Sequence, residues 1–177
     1  MPEIEEIKLN LGCGRRKLPS FVNLDKDMGW VFQEGLPQYT DGSVDAVTLS
    51  HTLMYLDILD VEKSVKEIWR VLKTSGVMRI TEDDTENPES DTYQKEPKQY
   101  HSRQWGRGRL CFTGPKMMRE ILETVGFAVY DVDESTTYFH DSTLMQNSHG
   151  GRPRCFFLEG IKTGDYKIFR NLEAKIR

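Results

Sequence analysis

Short apolar runs alternate with segments of helical period along this chain, and that alternation restricts it to an α/β domain. Ile7-Lys8-Leu9-Asn10-Leu11 reads as a first strand, closed by Gly12-Cys13-Gly14. Val22-Asn23-Leu24 reads as a second, closed by Asp25, and the turn Thr40-Asp41-Gly42-Ser43 leads into a third over Asp45–Ser50. From Asp60 to Lys73 the period becomes 3.6: Val61, Val65, Ile68 and Leu72 share one face. Glu62, Lys63, Lys66, Glu67 and Arg70 fill the other, and Gly76 lies just past the expected end of the helix. Val77–Thr81 reads as another strand. A second helix is expected over 115–125, with Thr113 or Gly114 as cap, Pro115 in its first turn, Met117 and Met118 in its core face and Gly126 as its stop. Strands over 127–132 and 155–162 follow, then a weakly amphipathic tail from Asp165.

A length of 177 residues fits one domain spanning 1–177. No stretch approaches the ~18 consecutive apolar residues of a membrane helix, and the acidic start Met1-Pro2-Glu3-Ile4-Glu5-Glu6 lacks the order of a secretory signal. Cys13, Cys111 and Cys155 are widely spaced and make no C-x-x-C pair, so neither a metal site nor a disulfide framework is expected; a cytoplasmic setting fits. A net charge of −4 opposes nucleic acid as the main partner. Nothing in the sequence fixes the oligomeric state, and a homodimer stays open.

Gly12 and Gly14 sit where a first parallel strand ends, the place at which α/β sheets bind ligands. A dinucleotide fingerprint needs a third glycine and an acid about 20 residues on; here Arg16 stands at the third position, and Asp25 arrives early. The stretch from Gly12 to Phe21 is close to the shortest parallel crossover, about 10–12 residues, so its helix must shrink to about a turn. A ribose-bearing ligand without a diphosphate fits better than NAD. Asp25 can accept hydrogen bonds from both ribose hydroxyls, or it can simply cap a turn.

Lys8-Leu9-Asn10-Leu11-Gly12-Cys13-Gly14 resembles the first motif of the class I S-adenosylmethionine-dependent methyltransferases. Leu36-Pro37, Asp41-Gly42-Ser43-Val44-Asp45 and Ser50-His51-Thr52-Leu53 resemble the family's L-P-F-x-D-x-S-F-D…S-x-x-L stretch, and Glu67–Gly76 is similar to its E-h-x-R-V-L-K-P-G-G run. The resemblance extends over residues 7–82, with the compact first crossover resembling a group of short type-11-like predicted methyltransferases. It implies a Rossmann-like three-layer sandwich around a seven-stranded, mostly parallel sheet in the order 3-2-1-4-5-7-6, its seventh strand antiparallel. It implies S-adenosyl-L-methionine as cofactor, held by Asn10, Gly12, Cys13, Gly14, Asp25, Leu36, Ser50 and His51. Within that set Asp25 would hold the ribose, Leu36 and its neighbours would flank the adenine, and Ser50 and His51 would border the methyl. Asn10 stands where most members carry an acid, and Thr74-Ser75 replaces Pro-Gly.

Methyl transfer from a sulfonium asks the protein chiefly for alignment and exclusion of water, with a base where the acceptor carries a proton. His51 and Asp83 are the candidate catalytic groups. Residues 82–112 and 133–153 are the candidate substrate loops; Arg103, Trp105, Arg107 and His140 could grip an anionic or sugar-like small molecule. The acids between Glu82 and Asp91 otherwise read as a solvated loop, electrostatically offset by the bases that follow. The expected activity is methyl transfer to a small molecule or glycan precursor; the alternative is an inactive cofactor-binding module working through a protein partner.

Overall fold

The computed structural model describes residues 6–85, 87, 114–147 and 155–164. Six strands and two α-helices follow the chain as β1 (Lys8–Leu11), β2 (Val22–Leu24), β3 (Val44–Ser50), α1 (Ile58–Val71), β4 (Leu72–Asp83), α2 (Pro115–Val125), β5 (Phe127–Asp131) and β6 (Cys155–Lys162). They form one sheet in the order β2-β1-β3-β4-β6-β5. The pairs among β2, β1, β3 and β4 are parallel, and β6 runs antiparallel between β4 and β5. The expected α/β class and the antiparallel last strand are present. The seventh strand, expected outside β2, is absent among the described residues: 26–34 instead makes two 3-10 turns, Lys26–Met28 and Phe32–Glu34. Trp30 and Leu36 anchor that stretch by entering the core, which leaves β2 as the sheet edge.

One face of the sheet is covered by α1 and α2. Val61, Val65, Ile68 and Leu72 are all buried there with Leu9, Leu11, Val47, Leu49, Met118 and Leu122, so the helical period places the core as the sequence implies. Of the two expected core methionines, Met118 is buried and Met117 is 42% exposed. The helix is shifted from the expected 60–73, because Asp57 caps its start through Asp60 N and its chain turns extended at Leu72. Leu72 pairs with Val44 and Val77 with Ala46, so residues 73–76 bulge out of the ladder. Gly76 therefore belongs to this bulge and not to the helix end; Ser75 carries the positive φ of 67°.

The opposite face carries no α-helix among the described residues. Leu18 and Phe21 of the first crossover, together with Leu144 of a 3-10 turn over Ser142–Asn147, cover Ala46 and Val77 there. The crossover joining β1 to β2 has turns only, less even than the single helical turn expected. What fastens it is an amide pair, Asn10 fully buried and Asn23 half-buried. Asn10 Nδ2 donates to Arg16 O (2.9 Å) and to Asn23 Oδ1 (2.8 Å). Asn23 Oδ1 also accepts from Leu18 N, and its Nδ2 donates to Leu18 O and Phe21 O. Polar backbone that a helix would have satisfied internally is satisfied by two asparagines. No helix of the described residues is long and apolar enough to cross a membrane.

Candidate active site

The carboxyl ends of β1, β2, β3 and β4 lie at one edge of the sheet, and the sequence-predicted residues gather there from the glycine loop outward. Gly12 and Gly14 both have positive φ, 65° and 50°. Their surroundings differ. A Cβ on Gly12 would stand 2.1 Å from Thr52 Cγ2, whereas one on Gly14 would meet nothing within 4 Å among the described residues. Gly12 is thus required by the protein's own packing, and Gly14 is the glycine that faces open space. Cys13 is buried between them; burial, and then the charge of Asp25, push its thiol above the ordinary range and keep it protonated.

Asp25 does cap a turn, and it does more. Its Oδ1 accepts from Asp27 N (3.3 Å) and its Oδ2 accepts from Gly14 N (2.9 Å), which ties the end of β2 to the glycine loop. A carboxylate has about four lone-pair positions, so two bonds do not exhaust it. Asn10, expected to touch the cofactor, is fully buried beneath the loop with both Nδ2 hydrogens given to the chain. Leu36, expected beside an adenine, is only 1% exposed and packs in the core; any contact with a base there falls to its neighbours.

Glu67 and Arg70 hold that neighbourhood. Glu67 Oε1 accepts from Leu36 N (2.8 Å), and both its oxygens accept from Arg70 (2.7 and 2.8 Å). Arg70 donates onward to Leu36 O, Tyr39 O and Asp41. One turn of α1 therefore clamps residues 36–41, which is what an acid and an arginine three apart on a helix can do. Arg70's hydrogen bonds lower Glu67 below the usual carboxylate range; burial opposes this and the Leu36 amide assists.

At the end of β3, His51 leaves the strand with φ 51°, its N–H bonded to Thr81 O (2.8 Å). Thr52 and Leu53 then donate their N–H groups to Glu82 Oε1 (2.7 and 2.8 Å), and Thr52 Oγ1 lies within hydrogen-bond reach of Ser50 O (3.0 Å) and Gly12 O (3.3 Å). Glu82, expected in a solvated acidic loop, is 2% exposed and organises the turn that carries His51. Its signal was available in the alternation of β4, which points Ile80 and Glu82 to one face. Ser50 Oγ is buried and has no hydrogen-bond partner among the described residues.

His51 and Asp83 come together as expected: Nδ1 lies 3.4 Å from Asp83 Oδ1. Cys155, which spacing alone did not nominate, joins them, its Sγ 3.7 Å from both His51 Nε2 and Asp83 Oδ1. The antiparallel register pairs Asp83 directly with Cys155. His140 is elsewhere. It stands against Glu6 and Asp141, ahead of β1 and so at the far end of that strand from the glycine loop. Arg103, Trp105 and Arg107, with the rest of 88–113, lie outside the described residues, as do 148–154 and the tail from 165.

This sheet order, with its glycine loop after β1 and an acid after β2, is a Rossmann-like α/β fold of the kind that binds ligands at the carboxyl edge of its sheet. The family described as "Methyltransferase domain" matches residues 30–80, from the turn after β2 to the middle of β4. No curated protein matches the sequence significantly. Among solved structures the chain is similar to the YcgJ protein from Bacillus subtilis, with 16% identity, TM-score 0.59 and coverage of 91% of this chain and 94% of that one. It is also similar to a SAM-dependent methyltransferase from Thermotoga maritima described as a possible histamine N-methyltransferase (18% identity, TM-score 0.58, 92% and 84% coverage). A third is a SAM-dependent methyltransferase from Archaeoglobus fulgidus (16% identity, TM-score 0.56, 89% and 86% coverage). At these identities the likeness is one of fold.

Proposed function

We propose that this chain is an S-adenosylmethionine-dependent methyltransferase acting on a small-molecule acceptor, in a cytoplasmic setting that suits Cys13 and Cys155, neither of which is in a disulfide. The observation that carries the reading is the direct link between the two halves of the site. The Gly12–Gly14 loop, with Asp25 bonded into it, touches through Thr52 the turn that presents His51. A cofactor cradle and a set of acceptor-side groups are thereby one rigid unit at the sheet edge. The residues fit the cofactor: Gly14 opens onto empty space, Asp25 keeps lone pairs for ribose hydroxyls, and the Ser50 hydroxyl is buried with no partner of its own among the described residues.

When bound, the cofactor supplies an electrophilic methyl group on a sulfonium. Asp25 would hold the ribose, and residues beside Leu36, fixed by the Glu67–Arg70 clamp, would flank the base. Ser50 and His51 would border the methyl. His51 and Asp83 would receive the ionisable atom of the acceptor and hold it in line, while Glu82 keeps their turn in place. Arg103, Trp105 and Arg107 are the proposed grip on an anionic or sugar-like remainder of the acceptor, a glycan precursor included.

Thermal stabilisation by S-adenosylhomocysteine, S-adenosylmethionine and NAD, measured side by side, tests the reading. A ligand at 100 times its Kd adds about 2.7 kcal/mol. The adenosyl ligands are expected to stabilise the protein and NAD is not; a response to NAD alone refutes the assignment. Asp25→Ala is expected to weaken adenosyl-ligand binding at least about tenfold, the equivalent of one charge-assisted hydrogen bond.

A further inference from the structure

Three side chains from three adjacent strand ends meet at the acceptor side of the cleft: His51 after β3, Asp83 closing β4 and Cys155 opening β6. A sulfur, an imidazole and a carboxylate in contact suggest first a nucleophile–histidine–acid relay. The distances exclude it. In such a relay the ring stands between its partners, one on each nitrogen, so the thiol and the carboxylate lie roughly 7 Å apart. Here Cys155 Sγ is 3.7 Å from Asp83 Oδ1. The three groups surround a point instead of forming a line.

Donors gathered around a point are what a metal cation needs. Bond lengths of about 2.0 Å to nitrogen or oxygen and 2.3 Å to sulfur put tetrahedral ligand atoms about 3.3 Å (N to O) and 3.5 Å (S to N or O) apart. His51 Nδ1 lies 3.4 Å from Asp83 Oδ1, Cys155 Sγ lies 3.7 Å from that same oxygen, and one donor atom from each of the three residues falls within 4.8 Å of the other two. One ring nitrogen serves as ligand. We infer that His51, Asp83 and Cys155 form a transition-metal site, Zn²⁺ by its mixed S, N and O donors, with the fourth position left for water or for an ionisable atom of a bound molecule. Three protein ligands and one open position is the pattern of a zinc ion that acts on a ligand, in contrast to a closed structural site. The strand register makes the site rigid: Asp83 and Cys155 are direct cross-strand partners, and His51 is pinned by its N–H bond to Thr81 O.

The metal site stands on this geometry alone; that its open position receives the methyl acceptor, as a thiol or hydroxyl whose proton the metal displaces, rests on the methyltransferase reading. The test uses full-length protein, stripped with a chelator and titrated with Co²⁺ as a spectroscopic probe. One equivalent is expected to bind, with thiolate-to-cobalt charge-transfer absorption in the near ultraviolet. Cys155→Ser is expected to abolish that absorption, and Asp83→Asn to weaken Co²⁺ binding at least about tenfold. Cys13→Ser is expected to leave the absorption intact. Should Cys155→Ser fail to fold, alkylation of Cys155 in the unaltered protein gives the same answer: Zn²⁺ is expected to slow it at least about tenfold. Absorption that survives Cys155→Ser, an alkylation rate indifferent to Zn²⁺, or no Co²⁺ binding at tenfold molar excess each overturns the site. S-adenosylhomocysteine binding is measured on the same preparations. Its absence from protein that binds Co²⁺ refutes the methyltransferase reading and leaves the metal site, whereas its presence in protein that fails to bind Co²⁺ refutes only the site.

Discussion

Replacing the two glycines of the loop after β1 one at a time separates packing from binding. Gly12→Ala places a methyl 2.1 Å from Thr52 Cγ2 and 2.7 Å from Thr52 Oγ1, at a φ of 65°. The left-handed backbone costs an alanine about 1–2 kcal/mol. Thr52 must also rotate away, losing its contacts with Ser50 O and Gly12 O, at about 1 kcal/mol or more for a buried hydroxyl left unsatisfied. The sum is about 2–4 kcal/mol, and in a chain of this size each kcal/mol lowers Tm by about 2–4 °C. Gly12→Ala should therefore melt roughly 5–15 °C below the unaltered protein. Gly14→Ala bears the backbone cost, about 1–2 kcal/mol, because no described residue lies within 4 Å of its new methyl. Its penalty should appear in S-adenosylhomocysteine affinity, which is expected to fall about tenfold or more as the methyl enters the cleft. Thermal denaturation and ligand titration of both variants, with Thr52→Ala alone and combined with Gly12→Ala, complete the test. Thr52→Ala should recover part of the Gly12→Ala loss, a coupling of at least about 0.5 kcal/mol. Equal stability losses for the two glycine variants without such coupling would refute the division of roles.

Other consequences follow from the buried charges. Arg79 and Glu159 are both fully buried, 2.8 Å apart, and together bind residues 133–138 to the sheet; Arg79→Met leaves the Glu159 carboxylate without its cation and should cost about 3–5 kcal/mol in denaturant unfolding. Glu82→Ala removes the acceptor of Thr52 N and Leu53 N and should cost about 2–5 kcal/mol, with a loss under 1 kcal/mol contradicting its organising role. Glu67 is held below the usual carboxylate range by Arg70, so its folded form releases its proton more readily than its unfolded form. The stability it contributes is complete above the unfolded value, near 4.5, and disappears as pH falls through the lower folded one. Glu67→Gln should therefore be destabilising at pH 7, by about 1 kcal/mol after allowance for its partial exposure, and progressively less so in melts as pH is lowered past the unfolded value.

Much of this protein was legible in the residues alone, and the reason is the range of the signals. Strand and helix periods, the cap at Thr113 or Gly114 and the stop at Gly126 are written within a few positions of each other, and the strands and α2 formed where they point, while α1 is shifted by its Asp57 cap. The stretch from Glu67 that resembles a methyltransferase motif carries an acid and an arginine in α1 that clamp the loop preceding β3. Reading failed where a residue's partner is distant in sequence. Asn10 looked like a ligand contact and is bonded to Asn23, because a crossover without a helix needs its backbone satisfied by side chains. Gly12 reads as an approach for a ligand, and the need for a glycine there comes also from Thr52, which no local pattern announces. Glu82 was hidden among acids that share its charge, and only the pleat of β4 turns it inward. The sequence determined an α/β sheet with a glycine loop and an aspartate at its carboxyl edge. Tertiary structure alone decided that His51, Asp83 and Cys155 share one point in space, because the register of β3, β4 and β6 is fixed by burial of both sheet faces and not by any spacing along the chain.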